Sequence, residues 1–549
     1  MPFRFIGGVA LVLSLAACTH RPPSAVPESA GAHYSGALNA GTPLVTIVRD
    51  RNIKPLDPTS KTPLLDQAMA ALAKSDPGGR WKGVTYSLSG GNVLSRDWLV
   101  QTPLVWGKSA RAVGGDGHSD EIVKRIRSLI AGARQSVDIT LLQPAPDGAF
   151  LYALREGIEA LGRSGRTVSV RILIGQYPPN DSDAKKLMAS LTDEIPSRGS
   201  RLSLYVAAMR SCTGGSDCSS FSWNHAKIVA VDGRVALVGG HNMYAADYLG
   251  EDPVFDLSMQ LSGPAAADAM RFVDAMWNFV CGNAGKLSTV QVVSVLPGSA
   301  APGSECKPSL APAGGQSRGG IQVLAVGRLA SGITPDFANQ SDLARDLMLG
   351  AARRSIRIVQ QDIGFTLGRP DTLYPESTLE KIADFLLLDG GEVYIVLSNL
   401  GAVGKAGNSY SNDVPLESVA RKFFDVAQQR SKLDYDTLAT LLCRRLHIAP
   451  LRFGPDVQWP DGKPIANHAK FWMVDERYFY IGSNNFYPVD LQEYGYIVDS
   501  RAAAATMIES YWTPLWRWSK SAAISGDDAP SCVLRQKPVR KSGERKSGN

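Results

Sequence analysis

The hydrophobic positions in the first half of the chain switch between a helical and an extended spacing. Residues 121–133 and 150–161 carry apolar side chains at helical intervals, whereas residues 137–142 and 168–174 form short, largely apolar runs. Helical spacing predicts amphipathic helices, and short apolar runs predict buried strands. The first half therefore predicts helices that alternate with strands.

The second half repeats this order loosely. Residues 343–354 and 379–388 have helical spacing, and apolar runs follow them at 356–359 and 393–397. Strands that alternate with helices are typical of α/β proteins. We therefore predict an α/β fold with a mixed sheet in each half.

The two predicted halves are separated by residues 296–320, which are rich in Pro, Gly, Ser and Ala, a composition typical of a linker. A chain of 549 residues, 44% of them hydrophobic, is long enough for two substantial cores. We expect a first lobe at 61–295 and a second lobe at 321–525.

The charge balance gives little information about partners. The sequence has 58 Lys and Arg against 52 Asp and Glu, which gives a net charge of +6. Much of the excess lies in residues 526–549, which contain few apolar side chains and predict a disordered, solvated tail. We do not expect nucleic acid as a partner.

The first residues have the pattern of an export signal. Arg4 precedes an apolar run at 5–15 that is too short to span a bilayer. The run ends in Leu-Ala-Ala before Cys18, which resembles the lipobox of bacterial lipoproteins. This resemblance implies removal of residues 1–17, lipidation of Cys18 and a place in the cell envelope, either periplasmic or at the outer membrane. The alternative is a plain secretory signal. Residues 18–60, with their small and polar composition, predict a flexible tether.

Six more cysteines follow the predicted export signal. An even number of cysteines in an exported protein indicates disulfides. Sequence alone does not fix the pairing, and local closures are the simplest: Cys212–Cys218, Cys281–Cys306 and Cys443–Cys532. Their spacing is not that of a zinc site, and no carboxylate cluster for metal binding is apparent. We expect neither a metal nor a cofactor.

One pattern of polar residues occurs twice with identical spacing. It reads His-x-Lys-x4-Asp-x6-Gly-(Gly/Ser)-x-Asn, and two copies of so specific a pattern cannot reasonably arise by chance. The first copy comprises His225, Lys227, Asp232, Gly239, Gly240 and Asn242, and the second comprises His468, Lys470, Asp475, Gly482, Ser483 and Asn485.

Each copy predicts a hairpin with its polar side chains at one end. In a strand, alternate side chains share a face, so each His and the Lys two residues later point the same way. Asp232 and Asp475 fall at the predicted turns, and we interpret them as structural residues. The return strand brings its Asn back towards the His and Lys, and Gly239 and Gly240 leave room for a substrate.

Two such hairpins face to face would supply the groups that displacement at phosphorus requires. A neutral imidazole acts as a nucleophile or base, and a protonated one acts as an acid. The Lys and Asn side chains would stabilise charge on the non-bridging oxygens without a metal. Histidines outside the pattern, including His241, are interpreted as residues without a chemical role.

The doubled pattern is the signature of the phospholipase D superfamily, and its surroundings resemble the secreted phospholipases D of actinomycetes. The resemblance covers residues 64–532, and the matching segments include 223–225, 239–242, 247–249, 261–266, 360–362 and 479–483. It implies two fused α/β/α-sandwich lobes with mixed sheets, related by a pseudo-two-fold axis, with the active site in the cleft between them. It also implies hydrolysis of phospholipids to phosphatidic acid and an alcohol, and head-group exchange with added primary alcohols.

The resemblance further implies residue roles. His225 corresponds to the nucleophile that forms a covalent phosphohistidine, and His468 to the general acid and later base. Asp256 and Glu493 correspond to carboxylates that orient the two histidines. Glu493 stands where the family usually has Asp, and we expect it to reach towards His468.

Two tyrosines stand at positions where the family has aromatic residues. Tyr244 replaces a frequent Trp, and Tyr248 matches a Tyr. Both are candidates for cation–π contact with a choline-like head group, and ordinary packing at the rim is an equal alternative.

Two other functions stay open at this point. One is an endonuclease of the same fold, and the other is an inactive envelope lipoprotein that binds lipid or a partner. Both copies in one chain argue against the short, dimeric endonucleases, and the intact copies argue against an inactive protein. The expected partners are therefore phospholipid, a membrane surface and primary alcohols, with the chain acting as a monomer.

Overall fold

The computed structural model describes residues 54–114, 117–176, 183–192, 201–212, 222–295, 306–307, 319–334, 339–366, 372–388 and 390–537. The predicted export signal, Cys18 and Cys218 lie outside the described residues. So do most of the predicted tether and linker and the part of the predicted tail after residue 537.

Strands alternate with helices along the described chain. The strands are β1 (Tyr86–Asn92), β2 (Leu99–Thr102), β3 (Ser136–Leu141), β4 (Val168–Gly175), β5 (Leu202–Met209), β6 (Ile228–Val231), β7 (Val235–Gly239), β8 (Asp256–Ser262), β9 (Val290–Val295), β10 (Ile321–Arg328), β11 (Ser355–Gln360), β12 (Glu392–Leu397), β13 (Leu446–Pro450), β14 (Phe471–Val474), β15 (Tyr478–Gly482) and β16 (Glu493–Asp499). The longer helices span Leu64–Lys74, Asp120–Gly132, Gly148–Arg163, Ala184–Thr192, Ala265–Asn283, Gln340–Gly350, Glu376–Leu387, Leu416–Arg430, Tyr435–Arg445, Arg501–Met507 and Thr513–Ser519. The predicted α/β class is confirmed.

The described strands form two eight-stranded mixed sheets with matching order. The first sheet runs β2-β8-β7-β6-β3-β4-β5-β9, and the second runs β1-β10-β16-β15-β14-β11-β12-β13. Strands β3, β4 and β5 are parallel, as are β11, β12 and β13, and the other neighbours are antiparallel. Strands β2 to β8 therefore recur as β10 to β16 in the same spatial order, as expected for two halves related by a pseudo-two-fold axis.

The N-terminal part of the chain belongs to the second sheet. Strand β1 pairs with β10, and helix Leu64–Lys74 buries Leu65 and Leu72 in the core of the second lobe. The expected first lobe at 61–295 differs from the structure at this end. The reason is that apolar spacing predicts an element but not the sheet that it joins.

The C-terminal boundary differs in a similar way. The predicted disordered tail starts at residue 526, but Cys532 and Leu534 are buried in the core of the second lobe. The disulfide Cys443–Cys532 fixes this segment to helix Tyr435–Arg445. The tail was predicted from its basic charge, which does not reveal these two buried side chains.

A central hydrophobic core lies between the sheets. It contains Val238 and Met259 from the first sheet and Val323 and Val498 from the second, and helix Ala265–Asn283 packs within it. Burial of each such side chain contributes about 1.5–3 kcal/mol. Because the two lobes share this core, the ends of their hairpins are held in a fixed relation.

Disulfides connect distant parts of the chain. Cys281–Cys306 and Cys443–Cys532 are paired as predicted, and Cys212 is also disulfide-bonded. Its predicted partner, Cys218, is outside the described residues. Structural disulfides are typical of exported proteins. None of the helices that can be described is long and apolar enough to cross a bilayer.

Candidate active site

Each copy of the doubled pattern forms a hairpin, β6–β7 in the first lobe and β14–β15 in the second. Asp232 occupies the first turn with a φ of 54°, and its carboxylate accepts three backbone N–H groups of residues 134–136 at 2.8–2.9 Å. Asp475, with a φ of 52°, accepts the N–H groups of residues 353–355 within 3.1 Å. Both aspartates therefore anchor a turn and lie away from the end of the hairpin that carries His and Lys.

The polar ends of the two hairpins meet across the lobes through reciprocal contacts. The N–H of His225 donates to the carbonyl of Gln492 at 2.9 Å, and the N–H of His468 donates to the carbonyl of Phe255 at 2.7 Å. The two imidazole rings have centroids 6.3 Å apart, with an angle of 75° between their planes. One site thus contains both histidines, and both are buried.

The carboxylates are exchanged between the lobes. Nδ1 of His225 is 3.0 Å from Oε2 of Glu493, and Nδ1 of His468 is 2.8 Å from Oδ2 of Asp256. The sequence-based expectation that Glu493 reaches His468 is wrong. Glu493 follows Gln492, which contacts the first lobe, and Asp256 follows Phe255, which contacts the second lobe, so each carboxylate reaches the histidine of the opposite half.

This pairing determines the state of each ring. A carboxylate that accepts from Nδ1 fixes the tautomer in which Nε2 carries the lone pair. Burial, together with the charges of Lys227 and Lys470, lowers the pKa of both His225 and His468 well below the usual value. Neutral imidazoles with available Nε2 lone pairs are competent nucleophiles and bases.

The two lysines are buried beside the histidines. Nζ of Lys227 donates to the carbonyl of His225, and Nζ of Lys470 donates to the carbonyl of His468, each at 2.6 Å. Burial lowers the pKa of Lys227 to about 7 and lowers the pKa of Lys470 as well. A bound anion would offset this effect and favour the charged ammonium groups.

Each half also contributes a buried asparagine with unused bonding capacity. Within the part of the chain that can be described, Oδ1 of Asn242 and Oδ1 of Asn485 are buried without a hydrogen-bond partner. Buried polar atoms in proteins almost always have partners, so these unpaired carbonyl oxygens favour a bound hydrogen-bond donor such as water. The amide of Asn485 also donates to the hydroxyl of Tyr487 at 2.6 Å.

The small residues at the ends of the return strands lie in close contact with other groups of the protein rather than leaving space for a substrate. A Cβ on Gly240 would overlap the carboxylate of Asp256, and one on Gly239 would overlap the backbone of β8. A Cβ on Gly482 would overlap the ring of Tyr480. In the second copy, Ser483 replaces the second glycine, and its hydroxyl donates to Glu493.

Both candidate tyrosines are buried rather than at the rim. The hydroxyl of Tyr248 donates to Oδ2 of Asp256 at 2.8 Å and lies 3.2 Å from Nδ1 of His468. The hydroxyl of Tyr244 donates to the carbonyl of Gln143 at 2.5 Å. Tyr248 therefore helps to hold the Asp256–His468 pair, and neither ring has the exposure that a head-group platform needs.

Sequence reasoning missed several residues around the site. Tyr410 stands edge-on to the ring of His468 at 5.1 Å, and its hydroxyl donates to Asp247 at 2.7 Å. Nη2 of Arg328 lies 3.6 Å from Oε1 of Glu493. Neither Tyr410 nor Arg328 belongs to the doubled pattern. Their places at the site become visible only from their contacts with His468 and Glu493 in the folded structure.

Among the described residues, no group of three or more His, Cys, Asp or Glu side chains is placed to hold a metal ion. The ionisable groups of the site are instead two histidines, two lysines and two carboxylates.

Comparison with known proteins identifies the family. No family model matches the sequence. The chain is 32% identical over 528 residues to a phospholipase D from Streptomyces antibioticus, an alignment that covers 86% of this chain and 90% of that protein. The chain belongs to the phospholipase D family. The predicted family and enzyme class, a phosphodiesterase of this family, are therefore confirmed.

Solved structures with a similar arrangement are more distant. A phosphatidylserine synthase from Haemophilus influenzae Rd KW20 is 15% identical with a TM-score of 0.47, covering 84% of this chain and 91% of that one. A polyphosphate kinase from Porphyromonas gingivalis is 10% identical with a TM-score of 0.36, covering 75% of this chain and 49% of that one.

Proposed function

We propose that this phospholipase D family member hydrolyses glycerophospholipids to phosphatidic acid and an alcohol through a covalent phosphohistidine. The observation that carries the proposal is the pair of buried imidazoles 6.3 Å apart, each bound at Nδ1 by a carboxylate of the opposite lobe. With the ring centroids at this separation, a phosphoryl group can lie between the two rings, one on the attacking side and the other on the leaving side.

In the first step, Nε2 of His225 forms a bond to phosphorus, and the bond from phosphorus to the head-group oxygen breaks. Nε2 of His468 gives its proton to that oxygen, so the alcohol leaves neutral. The phosphodiester is an anion, and its negative charge beside His468 favours the protonated ring when substrate binds.

In the second step, water attacks the phosphorus of the phosphohistidine. His468, now neutral, accepts the proton of the water, and the phosphorus–nitrogen bond breaks to release phosphatidic acid and neutral His225. Lys227 and Lys470, with the amides of Asn242 and Asn485, stabilise the charge on the non-bridging oxygens in both steps. A primary alcohol in place of water gives a new phospholipid, which is transphosphatidylation.

Product analysis tests this proposal directly. With phosphatidylcholine in detergent micelles, we expect phosphatidic acid and choline, and with excess primary alcohol we expect the phosphatidyl alcohol in addition. Mass spectrometry of the lipid phase measures both products. Matched reactions with His225→Ala protein control for contaminating lipases. If the protein cleaved DNA and left phosphatidylcholine intact, the site would be that of a nuclease. If it did neither, the protein would be a binding protein.

Exhaustive EDTA treatment is expected to leave activity unchanged at fixed ionic strength. The reason is that Lys227 and Lys470, which lie beside the two histidines, would stabilise the developing charge together with the amides of Asn242 and Asn485. A soluble nitrophenyl phosphodiester should serve as the substrate, so that divalent ions cannot act through lipid packing. Loss of activity that one added metal ion restores would overturn the metal-free mechanism.

We further propose that Cys18 carries lipid and that the protein works at an envelope membrane as a monomer. The support is the Leu-Ala-Ala-Cys sequence after a short apolar run. Mass spectrometry of the mature protein should find residues 1–17 removed and acyl groups on Cys18, while a Cys18→Ser variant should leave the membrane fraction. An unmodified N-terminus beyond residue 18 would instead indicate simple secretion.

A further inference from the structure

The two halves of the active site differ in the layer behind the carboxylates. In the first sheet, Thr102 of β2 is the register partner of Asp256, and in the second sheet Arg328 of β10 is the register partner of Glu493. Because β2 and β10 are equivalent strands, Thr102 and Arg328 occupy equivalent positions. One half therefore has a neutral hydroxyl where the other half has a guanidinium.

Arg328 is fixed against Glu493 by several contacts. Its Nη2 lies 3.6 Å from Oε1 of Glu493, its Nε donates to the carbonyl of Leu491 at 2.8 Å, and its Nη1 donates to Asp342 at 2.8 Å. Asp342 also accepts from Arg345 at 2.9 Å, and neighbouring positive charges lower its pKa to about 2. Arg328 is thus a buried, permanently charged group with a defined position.

The corresponding layer behind Asp256 is neutral. The hydroxyl of Thr102 bonds to Nε2 of His241 at 2.5 Å, and Nδ1 of His241 bonds to the hydroxyl of Ser258 at 2.7 Å. Burial lowers the pKa of His241 to about 4, which keeps it uncharged at neutral pH. Within the described part of the chain, no arginine forms an ion pair with Asp256.

We propose that Arg328 is a positioning residue that makes the two half-sites inequivalent, favouring the ionised form of Glu493 and the neutral form of His225, so that His225 attacks and His468 carries the proton. This inference rests on the two-histidine function proposed above and explains its direction. A cation behind Glu493 offsets part of the negative charge felt by His225, so the Glu493–His225 pair takes up an extra proton only at lower pH. The Asp256–His468 pair has no such fixed cation.

The two lysines near the rings do not create this difference. Lys227 and Lys470 both act on both histidines and lower the pKa of each. Arg328 acts in addition on His225, in the same direction. The charged or titratable groups that face Glu493 and His225 are Lys227, Lys470, His468 and Arg328. The acidic groups that face Arg328 are Asp342, Asp490 and Glu493.

The test is the pH dependence of kcat/KM for Arg328→Met and Arg328→Lys with a nitrophenyl phosphodiester. Its leaving group needs no proton, so the acidic limb reports the protonation that removes the nucleophile at the Glu493–His225 pair. Arg328→Met should move this limb to higher pH by about one to three units, the range expected for one charge roughly 4–10 Å away at an effective dielectric constant of ~20. Arg328→Lys keeps the charge and should hold the limb near its wild-type position.

Arg477→Met is the matched control. Arg477 pairs with Asp499 at the opposite end of β16, at 2.6 Å, so its replacement removes a similar ion pair from the same strand outside the site. Its acidic limb should coincide with that of the wild type. If Arg328→Met alone fails to fold, Arg328→Met with Asp342→Asn removes both members of the buried pair and leaves less uncompensated charge.

The outcomes separate this inference from the function on which it rests. A folded Arg328→Met or double variant with lower kcat but an unmoved acidic limb would show that Arg328 has only a structural role. Wild-type protein that forms no adduct on His225 would instead contradict the proposed function. An equal shift in Arg328→Met and Arg328→Lys would show that shape, rather than charge, is responsible, and would also overturn the inference.

Discussion

Replacement of His225 by alanine is expected to prevent formation of a covalent adduct with every substrate. The variant lacks the only ring that we place on the attacking side, and kcat should fall by roughly ten-thousandfold or more. His468→Ala should behave differently with a nitrophenyl phosphodiester, because that leaving group departs without a proton. This variant should form the adduct and then stall, since no base remains to activate water.

Rapid denaturing quench followed by peptide mapping measures the adduct in each variant. We expect the modification on the peptide that contains His225, accumulating in the His468→Ala protein and absent from the His225→Ala protein. Thermal unfolding of both variants serves as the control for folding, because both side chains lie in a polar site rather than in the hydrophobic core. If the adduct were found on His468 and not on His225, the two roles would be reversed. If either variant turned over phospholipid at the rate of the wild-type protein, the mechanism would be excluded.

The sequence was sufficient for the local parts of this site. The spacing of His, Lys, Asp and Asn predicted the hairpins β6–β7 and β14–β15, because a period of two is a local property of a strand. The same applies to the turn residues Asp232 and Asp475, whose carboxylates bind backbone groups. Patterns that depend on neighbouring residues can be recognised without knowledge of the tertiary fold.

Contacts between the lobes could not be predicted in this way. His225 and Glu493 are 268 residues apart in the sequence, and their pairing depends on how the second lobe docks on the first. The family resemblance had led us to expect Glu493 beside His468, the histidine of its own copy. The role of Gly240 was missed for the same reason. A side chain at this position would overlap the carboxylate of Asp256, which is bound to the histidine of the other lobe.

Because of this docking, we expect that neither half acts alone. Each histidine has its ring held by a residue of the opposite lobe, so separation of the lobes would remove both Nδ1 partners together. Reciprocal contacts of this kind are those of a two-fold interface between identical subunits. In this chain the contacts occur within one polypeptide, so the two copies can differ in sequence. The second copy has Ser483 beside Glu493 where the first copy has Gly240 beside Asp256.

The exchanged carboxylates lead to a prediction that distinguishes the structure from the sequence-based expectation. Glu493→Gln should slow adduct formation from a nitrophenyl phosphodiester by about a hundredfold to ten-thousandfold, because the amide no longer fixes the Nδ1–H tautomer of His225. Asp256→Asn should leave this step nearly unchanged and slow release of the adduct, because it disturbs His468, the base for water. Single-turnover kinetics with separate detection of nitrophenol and of the adduct measures both steps. Asp499→Asn, at the far end of β16, is the control and should affect neither. If Asp256→Asn slowed adduct formation and Glu493→Gln slowed only its release, each carboxylate would serve the histidine of its own lobe, and the exchanged pairing would be wrong.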